Sequence, residues 1–276
     1  MIYFNGMESK ITKGPTELLF EATVLGKYNV KYFRCQETGF IQTEEPFWLE
    51  EAYSTAITKL DIGLPFRNEL LRDRVSKILI ENFDYRKQFL DYAGGYGLFT
   101  RLMRDKGFDF YHTDKYCKNL FAEYFDLSDF KEYTSFELIT VFEVFEHMAN
   151  PFEEISELLK LSNNILFTTE LQPQKPLLNI NDWWYFVPEI GQHISFFTEE
   201  ALSQIAKRYD YNFYTDGTSL HLFTKKTFEK NPLIPSKDSF FIRKAKKLIC
   251  GYEKKKYPLP ESRLQSDWEF IKKRLA

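Results

Sequence analysis

Between Lys87 and Thr169 short apolar runs alternate with longer helical patterns, and this alternation commits the chain to a largely parallel sheet with crossover helices. The runs predict strands at Lys87–Tyr92, Phe108–Thr113, Glu137–Phe142 and Asn164–Thr169, with helices at Leu98–Lys106, Cys117–Phe125 and Pro151–Leu161 between them. A further helix is expected after Thr198, a good N-cap ahead of Glu199-Glu200. Only Asp216-Gly217-Thr218 separates the last two runs, Tyr211–Thr215 and Ser219–Lys225, so they must pair as an antiparallel hairpin. The fold class is therefore α/β, a doubly wound, mostly parallel sheet ending in an antiparallel hairpin.

The flanks follow other patterns and divide the chain into 1–84, 85–227 and 228–276. Residues 1–46 show no sustained period and read as an irregular lead-in with strand-like pieces such as Tyr28–Phe33. From Pro46 to Phe83 apolar residues recur at three- and four-residue steps broken by Gly63 and Pro65, which predicts two helices forming a cap over the site. Beyond Phe228 helices are expected at about 238–250 and 264–275. Residues 225–276 hold 15 Lys and Arg against 6 Asp and Glu, so a basic tail at +9 follows an acidic body. A solvated face, or docking onto that body, accounts for such a tail; binding to nucleic acid or an anionic surface is the sharper alternative.

No window reaches the roughly 18 apolar residues of a spanning helix, and MIYFNGMESK lacks the flank and core of a signal peptide, so a cytoplasmic protein is expected. Cys35, Cys117 and Cys250 are too few and too widely spaced for a disulfide framework or a metal knuckle, and no metal is predicted. An aromatic share of 18% suits a thick core and stacking sites equally.

The turn after the first parallel strand, Asp91-Tyr92-Ala93-Gly94-Gly95-Tyr96-Gly97, lets a ligand approach the backbone closely. A dinucleotide site asks for a third glycine where the chain has Thr100, which argues against NAD or FAD. The next strand ends at Asp114, placed to accept hydrogen bonds from a ribose diol, so an adenosine-type ligand without a pyrophosphate fits better.

These residues resemble class I S-adenosylmethionine-dependent methyltransferases of the type acting on small molecules and sugars, over about residues 85–225. The turn from Phe89 to Gly97 is similar to the family's glycine-rich first motif, with Ala93 where glycine is commoner. Tyr111-His112-Thr113-Asp114 looks like the second strand with its ribose-binding acid, and Glu137 through His147, then Asn150-Pro151, like the fourth-strand signature. The resemblance implies a Rossmann-like methyltransferase fold with seven strands. It also implies S-adenosylmethionine as cofactor, bound by Asp91, Ala93, Gly94, Gly95, Gly97 and Asp114, with Glu143 at the methionine end and Glu146 and His147 nearby. The segment Trp184 to Phe197 is similar to one that faces the acceptor in sugar-modifying members.

Methyl transfer to a hydroxyl needs positioning and a base. His193 is the first candidate base because the resemblance puts its loop beside the acceptor, and His147 is the second; either could equally serve as a hydrogen-bonding strut. His112, inside a strand, reads as structural, and His221 as a surface or packing residue. Trp183, Trp184 and Tyr185 could stack on a sugar or surround a sulfonium, or simply pack the loop. Tyr53, Arg67 and Asn68 could close the site over an anionic group, or hydrogen-bond at the surface. The expected activity is methylation of a small acceptor, foremost a hydroxyl of a sugar or nucleotide-linked sugar in surface glycan synthesis. The alternatives are an NAD-type oxidoreductase, a nucleic-acid binding or methylating protein using its tail, and a protein that binds the cofactor only for structure. Since the basic residues are confined to the tail, nucleic acid is not the expected partner.

Overall fold

A computed structural model describes residues 7–54, 59–129, 135–234 and 258–275 of the 276. Three strands open the chain, β1 Thr16–Val24, β2 Tyr28–Cys35 and β3 Ile41–Thr43, followed by one helical turn, α1 Leu49–Ala52, and the long α2 Leu64–Asn82. The parallel strands and their helices come next: β4 Gln88–Tyr92, α3 Leu98–Asp105, β5 Asp109–Thr113, β6 Leu138–Phe142, α4 Pro151–Leu161 and β7 Asn164–Thr168. After a long loop come β8 Ser195–Phe196, α5 Glu199–Arg208, β9 Asn212–Thr215, β10 Leu220–Thr224 and finally α6 Leu264–Leu275.

The main sheet has the order β5-β4-β6-β7-β10-β9. Its first four strands are parallel, and β10 runs antiparallel to both β7 and β9, as the short connection requires. Both faces are buried, which is why these strands read as continuous apolar runs. Leu90, Ile139, Val141, Ile165, Phe167 and Phe223 point into one core with α4 and α5. Phe89, Leu138, Leu166 and Leu222 alternate onto the other face, against Leu71, Val75, Ile78 and Leu79 of α2 and Phe99 and Met103 of α3. The doubly wound α/β architecture is thus the one expected, with differences in detail.

Seven strands were expected in the main sheet, and it has six among the described residues. Beyond β5 the chain meets the sheet edge through a single bridge, His112 to Asp126, and then forms a 3-10 turn at Leu127–Asp129. The helix expected at Cys117–Phe125 does not form. Its amides are taken by other partners: Asp114 Oδ1 accepts from the N–H groups of Tyr116 and Cys117, and the Tyr96 carbonyl accepts from those of Leu120 and Phe121. Tyr124 then sits at φ +70°, which ends any helical path.

The lead-in is not irregular either. β1 to β3 form an antiparallel sheet completed by β8, with Ile41 opposite Phe196. Its pattern is masked because β1 changes register between Leu18 and Phe20, breaking the alternation that would identify a strand. The first of the two expected helices is one turn only, and the second, opened by Pro65, is half core rather than wholly cap. The helix expected at about 238–250 lies outside the described residues.

Among the described residues no helix is long and apolar enough to cross a membrane. The last helix docks on the body: buried Asp267 accepts from Arg104 Nε at 2.8 Å and Nη2 at 2.7 Å, a bidentate pair. Arg104 Nη1 also reaches Asp109 at 2.9 Å and the Phe110 carbonyl at 2.8 Å, joining tail, α3 and β5.

Asp267→Ala leaves that guanidinium short of a buried partner and should lower stability by about 3 kcal/mol, read as a shift in denaturant midpoint at unchanged slope. A second expectation concerns His221, buried between the Thr169 carbonyl and the Thr215 hydroxyl, where burial lowers its pKa to about 4. The unfolded chain binds this proton at about pH 6.5 and the native chain does not, so its contribution to stability is complete above that pH and falls away towards pH 4. His221→Gln should flatten the pH profile over that window by up to about 1.4 kcal/mol per pH unit, measured by urea unfolding.

Candidate active site

The strand order reverses at β4: the chain passes from β4 outward to β5 and then returns to β6 on the other side, leaving a crevice beyond the carboxyl ends of β4 and β6. A cavity of about 400 Å³ lies there. Its wall includes Asp91, Ala93, Gly94, Gly95, Asp114, Glu143, His147, His193, Trp184, Tyr185, Tyr53 and Arg67. Of the residues singled out for the site, Gly97, Trp183 and Glu146 are not on that wall.

The turn is built for close approach. Ala93, Gly95 and Gly97 have φ of +55°, +59° and +81°, so Ala93 holds a left-handed conformation that glycine would adopt freely. A Cβ on Gly94 would stand 2.4 Å from Asp91 Oδ2 and 2.8 Å from His112 Cδ2. Gly97 leaves room for Asn119, whose Oδ1 would be 2.3 Å from a Cβ there, so its role is packing the following loop.

Asp91 faces the cavity but has its oxygens engaged. Oδ1 accepts from Thr140 Oγ1 at 2.8 Å and Oδ2 from Thr100 Oγ1 at 3.1 Å, and burial pushes its carboxyl up to about 6. Thr100, in the place of a third glycine, is thus a brace for the strand end. Asp114 accepts from the Gly95 N–H through Oδ2 and from two N–H groups through Oδ1. A carboxylate offers about four acceptor positions, so one remains, on Oδ2. His112 braces the turn from below, bonding Asp126 through Nδ1 and the Gly95 carbonyl through Nε2.

At the end of β6, Glu143 also has positive φ, +54°, held by its N–H donating to Thr168 Oγ1 while Thr168 donates back to its carboxylate at 2.7 Å. Opposite it stand two imidazoles with ring centroids 4.9 Å apart. His147 Nδ1 donates to the Gln192 carbonyl at 2.9 Å and His193 Nδ1 to the Tyr185 carbonyl at 2.7 Å. Each neutral ring therefore keeps its lone pair on Nε2. Burial lowers His147 to about 4; burial and then His147 lower His193 to about 3.

The loop carrying His193 is held from both sides. The Ile194 N–H donates to the Glu146 carbonyl, the Thr43 N–H to the Ile194 carbonyl, and Trp48 Nε1 to the Gly191 carbonyl. Tyr185 is only 2% exposed and packs on the His193 ring, whereas Trp184 is 71% exposed at the rim. Trp183 is buried in the aromatic core under the N-terminal sheet and does not line the cavity. Arg67 is paired with Asp61 at 2.9 Å, and Tyr53 stacks on Tyr116 at 5.1 Å. Asp61 and Tyr116 were not foreseen as part of the wall, because each gains its place through a loop contact that no local spacing encodes.

A family model described as a methyltransferase domain matches residues 65–215, more than half of the chain. No curated protein matches by sequence. Solved structures with a similar course include CalO1, a methyltransferase in calicheamicin biosynthesis in its SAH-bound form, at 10% identity and TM-score 0.40 over 64% of this chain and 61% of that one. The plantazolicin methyltransferase BpumL in complex with SAH follows, at 14% identity and TM-score 0.42 over 64% and 90%. An O-methyltransferase family protein from Burkholderia thailandensis has 12% identity and TM-score 0.41 over 58% and 57%. The chain thus spans about three fifths of the length of the first of these.

Gly94→Ala should destabilise the fold by about 1–3 kcal/mol through the displaced Asp91 carboxylate, whereas Gly217→Ala, whose Cβ meets no atom within 4 Å, should cost only its positive φ. Thermal unfolding of the two variants checks the difference.

Proposed function

The chain belongs to the methyltransferase-domain family, whose methyl donor is S-adenosylmethionine, and on that premise we propose that it methylates a hydroxyl of a small acceptor, foremost a sugar or nucleotide-linked sugar. The observation that carries the reading is the single cavity that joins the glycine turn and Asp114 at one end to His147 and His193 at the other. The turn and Asp114 are the adenosine end: the free acceptor position on Asp114 Oδ2 takes a ribose hydroxyl, and the rest of the nucleoside lies along Gly94 and Gly95 on the cavity wall. Glu143 and Arg67 suit the charged amino and carboxylate groups of the methionine part.

The acceptor then lies between the sulfonium and the two imidazoles, with Trp184 at the rim offering a ring face to a sugar. Its hydroxyl donates to Nε2 of His193 or His147. Both rings are weak bases in this setting, but an oxygen taking on a methyl group becomes an oxonium, far more acidic than the hydroxyl it was. Even a weakly basic imidazole accepts that proton late in the displacement. Most of the rate then comes from holding donor and acceptor in line.

A panel of nucleotide sugars and glycans incubated with S-adenosylmethionine should yield a monomethylated product by mass spectrometry; conversion of none of them removes the sugar reading. His193→Ala should lower kcat by roughly 10²- to 10⁴-fold, while calorimetry finds S-adenosylhomocysteine affinity unchanged. Asp114→Asn should weaken that affinity at least tenfold, and undiminished binding would remove Asp114 from the cofactor site.

A further inference from the structure

Glu146 has no role in the account above, although it is among the most costly residues in the molecule. It is fully buried in the 3-10 turn Phe145–His147 that follows β6, and neither carboxylate oxygen makes a hydrogen bond of ordinary geometry. Its own backbone N–H and the hydroxyls of Tyr185 and Thr169 ease its charge without offsetting the burial. Burial, and then the Glu143 carboxylate in the same pocket, push it up to about 8. A buried carboxyl left unpaired costs several kcal/mol, and such a group calls for a partner.

Two imidazoles stand beside it as well. One carboxylate oxygen of Glu146 and one ring nitrogen each of His147 and His193 lie within 4.8 Å of one another, and His147 Nε2 is 3.9 Å from Glu146 Oε1. In both rings the Nδ1–H is anchored on a backbone carbonyl, which fixes the tautomer and leaves Nε2 as a free lone pair. Metal-bound histidines are anchored in this way, through the ring nitrogen that does not touch the metal.

We infer that Glu146, His147 and His193 form a binding site for a divalent first-row transition metal ion, with its open coordination positions facing the cavity. Two imidazoles and one carboxylate on one side of an ion suit zinc, iron(II), cobalt or manganese better than magnesium or calcium, which prefer oxygen alone. Ligand atoms about 2.0–2.2 Å from an ion stand closer together than the widest separation here, so the side chains close slightly on loading. The ion neutralises Glu146 and relieves the charge it shares with Glu143. Its open positions take water and, on the reading of the cavity given above, the oxygen of the acceptor in place of the hydrogen bond to Nε2.

The full chain, stripped with a chelator and titrated with zinc by calorimetry, should take up one ion, and the cobalt(II)-loaded chain should show visible absorption from a nitrogen- and oxygen-bound ion. Glu146→Gln and the His147→Gln/His193→Gln pair should each weaken zinc uptake at least tenfold. Zinc should raise the Tm of the wild type and leave that of Glu146→Gln unmoved. Binding of S-adenosylhomocysteine by each variant confirms that the cofactor end is folded. Equal zinc affinity in wild type and Glu146→Gln overturns the site, as does a wild type that binds no ion. Methyl transfer that persists at full rate after metal removal overturns the ion's contact with the acceptor. Failure to find an acceptor while zinc binds at these three residues overturns only the sugar reading.

Discussion

The carboxylate of Asp91 holds together everything that makes the cavity. It is buried at the end of β4 and accepts from Thr140 of β6 and from Thr100 of α3, so one side chain joins the two strands that flank the crevice to the helix that follows the turn. Burial raises the cost of its charge and the two hydroxyls offset that cost. Because its Oδ2 occupies the space a Cβ on residue 94 would need, the glycine there is imposed from below as well as by any ligand above. The same contact explains Thr100, whose hydroxyl serves the strand end rather than a phosphate.

The end of the cavity lined by His147 and His193 depends on a different device. β3 pairs with β8, and this small sheet carries the loop in which His193 stands, so the N-terminal strands position that imidazole from well over a hundred residues away in sequence. The loop is tightly determined: Val187, a β-branched residue, holds φ +37°, and Gly191 passes so near Val24 and Leu25 that a Cβ would lie 3.0 Å from each. Part of the aromatic excess is used here, where Tyr32, Trp48, Trp183, Tyr185, Phe186 and Phe196 form one buried cluster, and the rest largely fills the two cores of the main sheet. Trp184, Tyr116, Tyr53, Tyr96 and Phe121 are among the rings that line the cavity instead.

Concentration of charge at the chain's end has a partly structural explanation. Asp267, an acidic residue in the basic tail, is the one buried in α6, and it meets a basic residue of the acidic body, Arg104. The pairing inverts the sign expected from the net charges, because docking is decided by the one pair that is desolvated and not by the sum of exposed groups.

What the sequence determined by itself was what depends on local pattern: buried parallel strands as apolar runs, the closing hairpin at Asp216-Gly217-Thr218, α2 opening at Pro65, and a turn of glycines with an acid on the next strand. Those features are written in neighbouring residues, since strand burial, turn conformation and helix capping are set within a few positions. Tertiary structure alone decided the rest. The stretch after Cys117 has helical spacing but spends its amides on Asp114 and Tyr96, and β1 hides its alternation behind a shift in register. Glu146 adjoins His147 in the chain, yet its want of a partner appears only once β6, the loop of His193 and Tyr185 close around it, because desolvation is a property of the packed interior and not of any sequence window.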